Sequence, residues 1–271
     1  MKKLILIIAF LSLAGTALAI TGKIKVNSLG TGKVVKINSS QNTKLTNGLV
    51  GLWSFDGSDM YGTTAIDRSG RGNNGTLVAS PTKVAGKLGQ SLSFNGTSQY
   101  VTLGSSVYIN SGTPFTVACW VYLNGFAQQY PEPITLRTNT TAPFEIAFSN
   151  QTSYLGIIFG SGTDATWYHG KNDAPASTYV GKWTHVVLTY NGAGVSSGTN
   201  FKLYTNGSSS AHNATGVYAA TSQQSLLGGI GLASYNAFSG KLDDVRIYNR
   251  ALSASEVSQL YKLGTNVINS R

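Results

Sequence analysis

From residue 47 onward the chain is built of short runs in which apolar and polar residues alternate, cut by glycine-rich turns. In 115–121, Phe115, Val117, Cys119 and Val121 fall on one face, the period-two pattern of a strand with one side buried. Leu52, Trp53 and Phe55 predict another core strand, ending at Asp56. Leu242, Val245, Ile247 and Tyr248 predict a further strand that breaks step beside Asp243 and Asp244, as a bend would require. Asn-Gly pairs at 95–96, 191–192 and 206–207 accept the positive φ of tight hairpins. One helix stands out. Ser253 and Glu256 form a capping box, and Val257, Leu260 and Tyr261 give the following turns an apolar stripe. Thirty-two glycines and a single helical pattern predict an all-β, antiparallel two-sheet sandwich with one short C-terminal helix.

The ends differ from this body. Residues 1–19 carry a basic start (Lys2, Lys3), an apolar run from Leu4 to Leu13 and the small-residue site Ala17-Leu18-Ala19, the pattern of a signal peptide. That run is shorter than the ~20 apolar residues of a stable membrane span, so the mature chain is expected to lack a transmembrane anchor and to be secreted or held at the cell surface. Residues 20–46 predict a β-hairpin arm and a polar linker, and they contain five lysines and no acid. Residues 47–264 form the expected sandwich domain, with 265–271 as a tail.

Six blocks in order carry a family resemblance: GLVGLWSFDG at 48–57, GKLGQSLSFNGTSQYV at 86–101, FTVACWVY at 115–122, KWTHVVLTYNG at 182–192, FKLYTNG at 201–207 and FSGKLDDVRIYNRALSASEVSQLYKL at 238–263. Together they resemble the laminin-G-like, concanavalin A-like jelly-roll domains of secreted microbial proteins. The resemblance implies a jelly-roll sandwich whose first and last strands are neighbours, and in many members a calcium site.

Composition narrows the function classes. The net charge of +10 is concentrated at the N-terminal end, because residues 47–271 hold thirteen basic and ten acidic side chains. The arm suits anionic polymers, or serves to keep an edge strand soluble. An exported chain without a basic, aromatic-interleaved patch is not expected to bind nucleic acid. Cys119 is the only cysteine, so no internal disulfide can form, and its alternating strand context predicts a small buried hydrophobe. Glycoside hydrolysis needs two carboxylates at a defined separation. The chain has three glutamates: Glu132 between prolines, Glu145 alone on a strand and Glu256 at the helix cap. His169, His185 and His212 are scattered. Catalysis is therefore not expected.

Two sets of residues are candidate sites. If the first and last strands are neighbours, Asp56 and Asp243 converge, and Asp67 and Asn74 in the glycine-rich loop between could add oxygens to a structural calcium. The alternative is that Asp56 and Asp67 cap turns while Asp243 or Asp244 pairs with Arg246 or Arg250. For ligand binding, Trp167-Tyr168-His169 is flanked by glycine-rich segments, and Tyr130 lies between Gln129 and Pro131. Three consecutive rings cannot all enter one face of a sheet. Trp53, Trp120 and Trp183 fall in apolar strands and are expected in the core.

The resulting expectation is an exported, non-catalytic binding or adhesion module for glycans or other cell-surface polymers. An alternative is a structural subunit of an extracellular filament or surface layer, self-associating through residues 20–46. A polysaccharide-active enzyme is the third and weakest reading.

Overall fold

The computed structural model describes residues 45–104, 106–109, 112–126, 131–136, 144–148, 155–161, 164–170, 176–193, 200–210, 212–218, 225–229 and 237–265, with backbone alone for 144–145, 155–161, 164–170, 176, 210 and 212–218. The expected signal segment, all but the last two residues of the arm, the tail beyond Thr265, and Tyr130 lie outside these.

Two antiparallel sheets make up the domain. One runs edge to edge through Ser208–Ser210, Phe201–Thr205, Trp183–Tyr190, Phe115–Leu123, Ser239–Tyr248, Gln90–Asn95 and Thr82–Ala85, with Leu49–Trp53 also paired on Ser239–Tyr248. The other runs through His212–Tyr218, Asp164–Gly170, Leu155–Ser161, Phe144–Phe148, Ile134–Leu136, Leu226–Leu227, Tyr100–Leu103, Gly75–Val78, Thr64–Ala65 and Met60–Tyr61. The opening and closing strands lie side by side, with Leu49 opposite Tyr248 and Trp53 opposite Val245.

Alternation decides what each sheet encloses. Phe115, Val117, Cys119, Val121 and Leu123 from the central strand join Trp53, Phe94, Leu188, Phe238 and Ile247 in the interior between the sheets. Burial drives the Cys119 thiol well above its usual range, so it is inert packing. The opposite faces of the same strands contribute Ala118, Val187, Tyr204 and Tyr248 to a second cluster. The helix Ala254–Thr265 covers that cluster with Val257 and Leu260. Its capping box forms as expected: Glu256 Oε2 accepts from Ser253 N and Oγ at 2.8 Å, while Glu256 N donates to Ser253 Oγ at 3.4 Å. Trp53 and Trp120 are buried. Trp183 is not; it sits half-buried on the outer face, where the helix does not reach.

Candidate functional site

Asp56 and Asp243 enter the same short turn from different strands. Asp56 follows the opening strand, and its Oδ1 accepts from Gln90 N at 2.8 Å. Asp243 lies inside the closing strand, and its Oδ2 accepts from Lys87 N at 2.7 Å and Leu88 N at 2.8 Å. The turn closes on itself through Gly86 N donating to Gly89 O. Gly89 has φ +58, and a Cβ there would strike the Asp56 carboxylate. Asp56 therefore needs glycine beneath it.

The backbone on both acids is bent to deliver them. Phe55 is fully buried at φ 58 and Asp244 stands at φ 47, conformations that cost roughly 1–3 kcal/mol each for residues with a Cβ. The closing strand shifts register between Asp243 and Arg246, which is the broken alternation legible in the sequence. Asp244 is held by Arg246, whose Nε and Nη2 reach its carboxylate at 2.9–3.1 Å. Asp243 is fully buried and its Oδ1 has no hydrogen-bond partner. Burial pushes its carboxyl up to about 7, opposed by the Leu88 and Lys87 N–H groups and aided by the neighbouring Asp244 charge.

Asp67 and Asn74 form a separate set. Asp67 Oδ1 accepts from Leu52 N and Ser69 N, and its Oδ2 from Ser69 Oγ and Asn73 N, all at 2.7–2.9 Å. Asn74 Oδ1 accepts from Asp67 N at 2.9 Å. Burial would raise the Asp67 carboxyl, but these donors hold it below the usual range. The pair staples the glycine-rich loop to the opening strand and shares no hydrogen-bond partner with Asp56 or Asp243. For a hard cation the fit is consequently divided. Asp243, with a buried oxygen lacking a partner, and Asp56, anchored to the same turn, suit one; Asp67 and Asn74, with their oxygens engaged, do not. Among the described residues, no group of three or more His, Cys, Asp or Glu is placed to hold a metal.

Trp167, Tyr168 and His169 lie within the strand Asp164–Gly170, next to the edge strand of the ten-stranded sheet. They stand opposite Ile158, Ile157 and Gly156, and the pairing with His212–Tyr218 is irregular between Thr166 and Tyr168. The three glutamates are dispersed: Glu256 in the helix cap, Glu132 fully buried, and Glu145 in a strand paired on both sides. His185 is buried, which lowers its pKa to about 3, with Arg246 contributing; it packs 5.0 Å from the Trp120 ring. What sequence reasoning missed is the 86–90 turn that receives both acids. The Gly86 and Gly89 spacing was its one visible signal.

A two-sheet antiparallel sandwich, with its first and last strands side by side and a helix over one outer face, defines a jelly-roll β-domain. Residues 95–258 match the Laminin_G_3 family, described as the concanavalin A-like lectin/glucanases superfamily, and the chain belongs to it. No curated protein matches the chain. Among solved structures it is similar to domain 4 of AbnA, a GH43 extracellular arabinanase from Geobacillus stearothermophilus, solved in complex with arabinotriose, at 21% identity and a TM-score of 0.53, over 79% of this chain and 98% of that one. It is also similar to the binding domain of Paraclostridial Mosquitocidal Protein 1, at 16% identity and a TM-score of 0.56, over 82% and 53% of the two chains. The binding domain of botulinum neurotoxin DC, solved with rat synaptotagmin II, gives 14% and 0.59, over 81% and 52%. The chain thus spans about half the length of the toxin structures and nearly all of the arabinanase domain. The shared property at these identities is the fold.

Proposed function

We propose that this protein is an exported, non-catalytic binding module that engages glycans or other surface polymers. The observation that carries the reading is the overlap with nearly the whole of an arabinanase domain whose structure holds arabinotriose. Membership of a lectin and glucanase superfamily and likeness to toxin binding domains point the same way. Dispersal of the three glutamates, one of them committed to a helix cap, favours binding over hydrolysis. No helix among the described residues is long and apolar enough to cross a membrane.

In this reading the strand bearing Trp167, Tyr168 and His169 supplies the ligand surface, because aromatic rings stack on the apolar faces of sugars. Asp56 and Asp243 would hold a structural calcium, which neutralises their carboxylates and pins the 86–90 turn. The test is a glycan array that includes arabino-oligosaccharides, with wild type beside Trp167→Ala. Binding that falls at least tenfold in the variant supports the assignment. Uniform silence across neutral and acidic glycans removes it.

A further inference from the structure

Beyond the helix, the outer face of the eight-stranded sheet carries a row of side chains that nothing described covers. Trp183, Tyr122 and Lys241 are direct cross-strand partners on three adjacent strands. Their neighbours Val121, Leu123 and Leu242 point into the core, so this row points out. Tyr122 and Trp183 meet edge to face with centroids 5.6 Å apart, and Lys241 Nζ lies 4.5 Å over the Tyr122 ring. All three are half-buried. On the preceding row, by contrast, Trp120 is buried beneath Tyr261, which stacks on it at 5.7 Å. The loop before Trp183 frames one side, with Gly181 N donating to Leu123 O. Asn124, tied to Ser239 O, forms a polar rim at the other.

We infer that this row is a second binding surface, distinct from the Trp167 strand, and that it takes an acidic sugar of the uronic-acid class. The rings supply a platform for the apolar face of a pyranose, and the lysine a partner for its carboxylate. Charge selects this occupant. The only acids in the eight strands are Asp243 and Asp244, both buried, and Asp244 is tied to Arg246. Lys182 is exposed beside Trp183, and neither it nor Lys241 forms an ion pair among the described residues. The chain's own terminal segments are excluded by sign: residues 20–46 and 266–271 carry basic side chains and no acidic ones.

The probe is oligogalacturonate against its methyl ester, which keeps the ring and removes the charge, titrated calorimetrically into the purified protein. Wild type should bind the acid more tightly than the ester. Lys241→Gln should weaken the acid roughly tenfold and leave the ester unchanged, the size of one charge-assisted hydrogen bond. Trp183→Ala should weaken both, and its melting curve reports whether the fold is intact. Trp167→Ala should change neither. No binding by wild type, or binding abolished only by Trp167→Ala, overturns this surface; the second outcome leaves the glycan reading standing. A truncation after Thr265 that gains more than about tenfold in affinity identifies the tail as the occupant and also overturns it.

Discussion

Asp56 and Asp243 grip opposite ends of one turn, Asp56 through Gln90 N and Asp243 through Lys87 N and Leu88 N, although 187 positions separate them in the chain. Both carboxylates hydrogen-bond to the turn, and it is the turn that joins them. This makes the junction of the first and last strands an electrostatic as well as a hydrogen-bonded closure, with one carboxylate fully buried.

The burial of Asp243 predicts a pH dependence of stability. Its carboxyl is raised to about 7 in the folded protein, against an ordinary value of about 4 when unfolded. Between these values the folded state binds the extra proton, so stability is highest at the acidic end and falls as pH rises, by up to about 4 kcal/mol above pH 7. Calcium bound at the proposed site would reverse this, because it favours the ionised form. Thermal melts at about pH 5 and about pH 8, each with chelator and with calcium, should show a loss at the higher pH that calcium restores. Asp243→Asn should flatten the profile and abolish the calcium response. A melting temperature indifferent to both pH and calcium would sink the assignment.

The glycines of the turn follow from the same geometry. Gly89→Ala places a Cβ on the Asp56 carboxylate at a positive φ, and Gly86→Ala places one 2.6 Å from Asp243 Oδ2 and 2.7 Å from the Gln90 carbonyl carbon. The left-handed backbone alone costs about 1–2 kcal/mol for alanine, and the clash adds to it at Gly89. Denaturant midpoints should fall for both variants. Gly62→Ala, at φ +56 with nothing nearby, supplies the backbone penalty without the clash.

Much of this architecture was legible in the residues. The capping box at Ser253 and Glu256, the alternation through Phe115–Leu123 and the stumble at Asp243 each have a local physical signature, and each appears in the structure. The neighbouring first and last strands came from the family resemblance and are present too. The partners of the acids were not legible, because the donors at Lys87, Leu88 and Gln90 are backbone N–H groups, which every residue but proline carries. Asp67 and Asn74 read as cation ligands because oxygen side chains in a glycine-rich loop serve a metal or a loop equally well; only the four donors around Asp67 distinguish these uses. Trp183 read as core because alternation says which residues share a face, not how far a distant helix extends across it.

The reach of the helix is set by close contact at its end. A Cβ on Gly264 would lie 2.6–2.7 Å from the Trp120 Cε2 and Nε1 atoms and closer still to Cζ2. Trp120 packs in a cluster of three rings with His185 and Tyr261, so displacing it disturbs both contacts. Gly264→Ala should therefore cost about 1–3 kcal/mol, the range for overpacking a filled interior, and should redshift the tryptophan emission as the last turn lifts. An unchanged denaturant midpoint would mean that this turn is not seated on Trp120.

At the other end of the helix, Glu256 should make stability sensitive to strong acid. Hydrogen bonds from Arg250 foremost, with Ser253 assisting against partial burial, lower its carboxyl to about 2. Arg250 Nη2 lies 2.8 Å from Glu256 Oε1. A depressed folded pKa stabilises above the unfolded value, and that contribution is lost as pH falls from about 4.5 to about 2. Because the pair is partly open to solvent, the net effect is about 1 kcal/mol, in the range of a lost N-cap or an exposed ion pair. Glu256→Gln should lower the unfolding free energy from urea titration near neutral pH by that amount and narrow its gap to wild type at about pH 2. Arg250→Ala should cost more, because Arg250 Nε also donates to Asn47 O at 2.8 Å and ties the start of the domain to the helix cap. A Glu256→Gln profile parallel to wild type across this window would assign the acid sensitivity to other carboxylates.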